Sequence, residues 1–337
     1  MLQYLIIQLD DTSTSFCHYE VSSNSFKDEK SRKIIPLETL RKGIRFAMRE
    51  NLMIQFVYPK EELPEEYKTE IETIDHSKIK AYPNPPKRRE QEADNNDFSN
   101  ADVLVLNSWD LPIEDVEVPL VLRTTKHEFF TRYANMKEVL SKTPRLNVII
   151  TDIETFTDED FNTYKDVLAE LSKYIEQLYV EGKSPQLNLV TDRMMLKEMN
   201  NCGAGDTTIT LAPNGKFYVC PAFYYDDEAE CIGDINDPDF KSAEDLSIMN
   251  KQLYKLEYAP ICRHCDAWQC KRCIWLNRKT TLEVNTPSHE QCVMAHLERN
   301  ASRELLNNIR KHGAFLPEQE EIKELDYLDP FDKREEW

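Results

Sequence analysis

The chain has 337 residues, 40% of them hydrophobic and 31% charged, and its formal net charge is -19. That length holds one large domain or two ordinary ones, and the composition is that of a soluble globular protein. The acidic balance argues against a nucleic-acid or anionic-membrane surface, which needs clustered Lys and Arg. It serves solubility, or attraction of a basic partner. The opening run Met1 to Asp10 has no basic flank and is too short for a signal segment, and no apolar run reaches bilayer length. A cytoplasmic protein is expected. Of seven glycines, only Gly43 falls in the first 180 residues, so neither a P-loop nor a dinucleotide fingerprint can be built there.

In chain order, Leu5 to Leu9 reads as a buried strand, followed by a polar loop and a short extended stretch around Phe16 to Tyr19. Leu37 to Glu50 has helical periodicity after Pro36, a favoured start. Leu52 to Tyr58 is a strand stopped by Pro59, and Glu65 to Ile74 a short acidic helix. Tyr82 to Asn100 is Pro-rich and charged, a surface loop. Val103 to Leu106 and Val118 to Leu122 read as inner strands, and Phe129 to Leu140 carries a helical stripe. After a strand at Leu146 to Ile150, Thr157 with Asp160 forms a capping box for a helix that Gly182 ends. Leu187 to Val190 reads as a further strand. Strand–helix alternation implies parallel β/α architecture, which both a partial barrel and an open sheet satisfy.

Eight of the nine cysteines lie between Asn201 and Cys292. Thr208 to Leu211 and Lys216 to Val219 form a hairpin about Pro213-Asn214-Gly215, with Cys202 just before it and Cys220 at its end. Cys231 precedes a short strand at Ile232 to Ile235. Cys262-x2-Cys265-x4-Cys270-x2-Cys273 packs four thiols too tightly for helix or sheet, and Cys292 follows. In a reducing compartment such density means metal more often than disulfide. Zinc ribbons usually leave about 12 to 20 residues between two C-x2-C knuckles. The four-residue gap here makes one shared zinc awkward, while an iron–sulfur cubane offers separate corners to closely spaced thiolates. Zinc stands as the alternative.

Cys202, Gly215-x4-Cys220, the Cys262-Cys265-Cys270-Cys273 run and Cys292 resemble the SPASM domain, a C-terminal extension of radical S-adenosylmethionine (SAM) enzymes that modify peptides. The family pattern is C, G-x4-C, C-x2-C-x5-C-x3-C and a final C. This chain differs by one residue in each of two gaps. The resemblance implies two auxiliary [4Fe-4S] clusters, one on Cys202, Cys220 and Cys273, the other on Cys262, Cys265, Cys270 and Cys292. Cys231 has no place in the seven-cysteine pattern. It is either the fourth ligand of the first cluster or a separate thiol.

The resemblance also implies C-x3-C-x2-C after the first strand, where three thiolates would leave one iron open to SAM. The loop Asp10 to Glu20 contains Cys17 alone, and the glycine-rich segment after the second strand is absent. Bound SAM is therefore not expected. The expected fold is α/β, a degenerate radical SAM-like partial parallel β/α barrel over 1–195, a small SPASM-like iron–sulfur domain over 196–300, and an acidic C-terminal helix or tail over 301–337. The Ile6-to-Thr12 start and the Ser15-Phe16-Cys17-His18-Tyr19 segment, with the SPASM region, resemble the CXXX-repeat peptide maturases. That likeness implies maturation of a ribosomally synthesised, cysteine-repeat peptide, with the precursor peptide or a partner maturase as ligand and possible electron relay. The alternative is a non-catalytic binding scaffold stapled by zinc or a structural cluster.

Other residues carry weaker signals. Cys17 reads as a packing thiol more readily than as a redox one. His264, between Arg263 and Asp266, has the setting of a solvated loop residue rather than a ligand. Trp268 and Trp275 either shield a cluster or pack the small domain. Arg263, Lys271 and Arg272 would offset an anionic cluster. Asp10 and Asp11 end the first strand, where β/α proteins place function, though loop carboxylates are common there.

Overall fold

The structure, a computed structural model, describes residues 1–13, 16, 19, 33–82, 100–109 and 115–324. Cys17, most of the Phe16–Tyr19 stretch and of the Tyr82–Asn100 loop, and Tyr327, Phe331 and Trp337 lie outside the described residues. The chain runs β1 (Tyr4–Gln8), α1 (Leu37–Glu50), β2 (Met53–Val57), α2 (Glu65–Ile71), β3 (His76–Ala81), β4 (Val103–Leu106) and β5 (Leu120–Thr124). It continues with α3 (Lys126–Arg132), α4 (Met136–Leu140), β6 (Arg145–Ile150), α5 (Asp158–Val180), β7 (Gln186–Leu187) and α6 (Asn188–Met195). Then come β8 (Thr208–Leu211), β9 (Lys216–Tyr218), α7 (Pro221–Asp226), β10 (Gly233–Asp234), α8 (Ile274–Thr281) and α9 (His289–Arg310). The architecture is mixed α/β, and parallel pairings dominate its sheet.

Two compact units divide the chain, each made of two stretches: 1–105 with 203–258, and 106–202 with 259–337. In the first unit the strand order is β10-β9-β8-β1-β2-β3-β4, parallel from β8 to β4 and antiparallel in the β8–β9–β10 corner. Leu5 and Ile7 on one face of β1 and Ile6 on the other are all buried, as both faces of an inner parallel strand require. α1 begins at Pro36 and ends on Asn51 in the left-handed conformation at φ 55°. Its buried face includes Leu40, Gly43, Ile44 and Ala47. A Cβ on Gly43 would stand 2.5 Å from Leu211 of β8, so glycine sets how closely this helix approaches the sheet. Gly215, at φ +80°, turns the β8–β9 hairpin.

In the second unit β5, β6 and β7 pair in parallel. The expected capping box is present: Thr157 accepts from the Asp160 amide and Asp160 accepts from the Thr157 amide, opening the 23-residue α5. α5 and α6 both pack on α9.

Several expectations need correction. The run Leu187 to Val190 is strand only at its first residue and then turns into α6. A continuous buried run does not separate strand from helix by period. Asn188 replaces the lost ladder, accepting from the Val148 amide at 2.7 Å and donating to its carbonyl at 3.0 Å. The Phe129–Leu140 stripe is two short helices with a 3-10 turn, Tyr133–Asn135, between them. β3, α7 and α8 were not anticipated. No helix among the described residues is long and apolar enough to cross a membrane.

Candidate metal centre

The segment that follows residue 259 is loop and turn as far as Cys273. The amide of Cys265 donates to the Cys262 carbonyl at 3.1 Å and that of Cys270 to the Ala267 carbonyl at 3.0 Å. The Cys262–Cys265 gap and the end of the Cys265–Cys270 gap are thus folded into tight turns. The loop is tied to the chain ahead of it by Asn200 N–H to Trp268 C=O at 2.8 Å and Cys202 N–H to Lys271 C=O at 2.9 Å. Cys292 is carried on the first turn of α9, whose N-cap Ser288 accepts from the Gln291 amide.

Loop and helix together line a partly open cavity of about 120 Å³. Cys262, Cys265, Cys270 and Cys292 all line it, beside His264, Arg272 and His296. Burial pushes the thiols of Cys262 (to about 11), Cys265 and Cys270 up, because a thiolate is poorly solvated there. Arg272 opposes that shift at Cys262, and Arg299 and Arg193 oppose it at Cys265. Such thiols hold their protons until a thiophilic metal displaces them. Among the described residues no three His, Cys, Asp or Glu side chains converge as ligands of a single ion.

A charged frame holds the loop. Arg299 of α9, wholly buried, grips the Asp266 carboxylate with Nε at 2.9 Å and Nη2 at 2.6 Å, and also donates to the Lys323 carbonyl. Arg193 of α6 donates to the Asp266 carbonyl and stacks 3.8 Å over the Trp268 ring. Arg272 is 1% exposed and donates from Nε to Asn201 Oδ1 at 2.8 Å. Of the three basic residues singled out in the sequence, Arg272 lines the cavity, Lys271 is half-buried and Arg263 is exposed. His264 is exposed as expected. Asp266 is a structural anchor. Trp268 serves as the stacking platform for Arg193, and Trp275 is buried with Lys279 over its ring.

Sequence reasoning missed His296, whose Nε2 lies 3.3 Å from the Cys265 Sγ. A signal existed: His296 is four residues after Cys292, hence on the same helix face. Arg193 and Arg299 gave no local signal.

Cys202 and Cys273 belong to the second unit, Cys220 and Cys231 to the first. Cys220 does not end β9 as a strand residue; it is the N-cap position of α7, and Cys231 precedes β10. At the end of β1, Asp10 is wholly buried and its Oδ1 accepts from the amide and the hydroxyl of Thr12, both at 2.8 Å. Asp10 therefore shapes a turn. Burial raises the carboxyl of its neighbour Asp11, against a bond from the Lys33 amide.

No family model and no curated protein matches the sequence. Solved structures do. anSMEcpe with bound AdoMet superposes at a TM-score of 0.63 and 14% identity, over 92% of this chain and 96% of that one. anSMEcpe with bound AdoMet and the Cp18Cys peptide superposes at 0.60 and 15%, over 92% of this chain and 100% of that one. At such identities the likeness is one of fold, and the mixed α/β architecture with a sheet dominated by parallel pairings is the fold class that the sequence led us to expect.

Proposed function

We propose that this chain is a SPASM-type iron–sulfur protein acting in maturation of a ribosomally synthesised, cysteine-repeat peptide, and that it binds the precursor or a partner maturase. One observation carries the reading. Cys262, Cys265, Cys270 and Cys292, which the SPASM resemblance groups as ligands of one cluster, line a single cavity. Four soft thiol donors suit iron–sulfur chemistry. The Arg272 guanidinium lines the cavity, and Arg193 and Arg299, which share Asp266, favour the charged form of Cys265, which suits a thiolate-ligated, net anionic group. A bound cluster would supply one-electron transfer at this cavity. The resemblance assigns a second cluster to Cys202, Cys220 and Cys273, with Cys231 as candidate fourth ligand.

The chain's own contribution is to hold the thiols. The Asp266–Arg299 pair fixes the loop between Cys265 and Cys270 against α9, and Ala267 N–H donates to the Cys265 sulfur at 3.4 Å. The AdoMet and the Cp18Cys peptide are ligands of anSMEcpe. For this chain they support a peptide as the ligand class to test. We read the barrel as degenerate, without its own SAM-cleaving cluster, because Cys17 is the only cysteine before Cys202.

Iron and acid-labile sulfide, measured per chain after anaerobic purification, test the reading. Two clusters give about eight of each, and Cys262→Ser with Cys270→Ser removes about four. The same preparation is expected to leave SAM uncleaved in the presence of a strong reductant. A chain without iron that carries about one or two zinc ions overturns the proposal in favour of a metal-stapled scaffold.

A further inference from the structure

One contact at the cavity is not made by a cysteine or by a charge-balancing arginine. His296 sits on α9, 3% exposed, and its Nε2 is 3.3 Å from the Cys265 Sγ. It lines the cavity with the four thiols but belongs to no part of the cysteine pattern. A neutral imidazole nitrogen is either donor or acceptor, and a thiol is both. Once Cys265 is a metal-bound thiolate it has no proton, so only the imidazole can donate. The same sulfur receives the Ala267 amide at 3.4 Å, and Asp266, the next residue, is clamped by Arg299. The Cys265 sulfur thus has both the imidazole Nε2 and an amide N–H beside it.

We propose that His296 is a positioning residue for the cluster held by Cys262, Cys265, Cys270 and Cys292: it donates Nε2–H to the Cys265 thiolate and raises the reduction potential of that cluster. The inference rests on the iron–sulfur reading above. Hydrogen bonds to cluster sulfurs are among the terms that set the potential. The added electron increases the negative charge on the thiolates, so a donor stabilises the reduced form more than the oxidised one. The helix sets the placement, because Cys292 and His296 share one face of α9 at a spacing of one turn, and the imidazole is buried at 3% exposure. The donation is made to sulfur, so His296 adds no bond to iron.

The experiment uses the full chain, anaerobically reconstituted, with His296→Leu, His296→Gln and Cys262→Ser. The cluster concerned is the one whose reduced-state EPR signal Cys262→Ser removes. His296→Leu is expected to keep its iron while the reduction equilibrium of that signal shifts about tenfold toward the oxidised form, which is about 59 mV for one electron. His296→Gln, which keeps a donor amide, is expected to recover part of the shift. An unchanged midpoint in an iron-replete His296→Leu protein overturns the inference and leaves the cluster reading standing. Loss of that cluster's iron in both His296 variants overturns it too, since it would make the imidazole a ligand or a fold-critical residue. A wild-type chain without iron removes the cluster reading itself and this inference with it.

Discussion

Tyr164 on α5 donates its hydroxyl to Oε1 of Glu298 on α9 at 2.7 Å, so the two long helices of the second unit meet across a buried carboxyl. Gln269, adjacent to Cys270, reaches the same carboxyl through its Nε2, at 3.4 Å from Oε2, while also donating to the Ala295 carbonyl at 2.6 Å. Burial raises Glu298 to about 7, against the lowering by Tyr164 and Gln269. The carboxyl therefore links helix packing to the loop that carries the thiols.

A folded-state pKa near 7, above an unfolded value near 4.5, means that the native state holds its proton more tightly. The stabilising contribution is full below about pH 4.5 and is lost as the pH rises through 7. The loss is on the order of 3 kcal/mol at most. Glu298→Gln mimics the protonated form and should flatten this dependence. Thermal unfolding from pH 5 to pH 8 checks it: the wild-type midpoint should fall relative to the variant as pH rises. Parallel curves would show that Glu298 does not titrate in this range.

Arg299→Met should be among the more damaging single changes in the second unit. Arg299 is wholly buried and meets Asp266, whose side chain is 28% exposed. Removing the guanidinium strands a largely enclosed carboxylate, a change that costs about 3 kcal/mol in comparable buried pairs. Arg193, 3.6 Å from the same carboxylate, limits the loss. Denaturant midpoints of wild type, Arg299→Met and Arg299→Met with Asp266→Asn decide the point, because the double variant should recover part of the loss.

Gly43→Ala tests the closest approach in the first unit. The new Cβ would meet Leu211 Cδ2 at 2.5 Å, and Leu211 is wholly buried. Overpacking of this kind costs about 1–3 kcal/mol, offset by up to about 1 kcal/mol of helix propensity. A net loss of about 1 kcal/mol is expected, relieved by Leu211→Val. A stabilised Gly43→Ala protein would mean that the leucine moves aside freely.

Much of this fold was legible because local signals agreed with tertiary demand. Pro36, the Thr157–Asp160 box and the Gly215 turn each fix an element end by their own chemistry. β3 was not legible: its sequence His76-Ser77-Lys78-Ile79-Lys80-Ala81 buries only Ile79, so it lacks the apolar run that marks an inner strand. Cys262, Cys265, Cys270 and Cys292, which the SPASM resemblance groups, line one cavity. The residues that frame them, Arg193, His296 and Arg299, are charged or polar types ordinarily read as surface. Their burial depends on partners about 30 to 70 positions away in sequence, such as Asp266 and Cys265, and no local pattern encodes that.

Metal retention should depend on pH in a direction set by the same cavity. Without metal, burial holds the thiol of Cys262 at about 11 and raises those of Cys265 and Cys270 as well. At neutral pH each of these thiols must therefore lose a proton to become a ligand, so binding releases protons and weakens as the pH falls. The cluster's absorbance, followed anaerobically with excess chelator, is expected to decay several times faster at pH 6 than at pH 8. Arg272→Met removes the cation that lowers Cys262, and should steepen the decay at both pH values. Decay independent of pH would mean that chelator access, rather than protonation of the thiols, limits release of the metal.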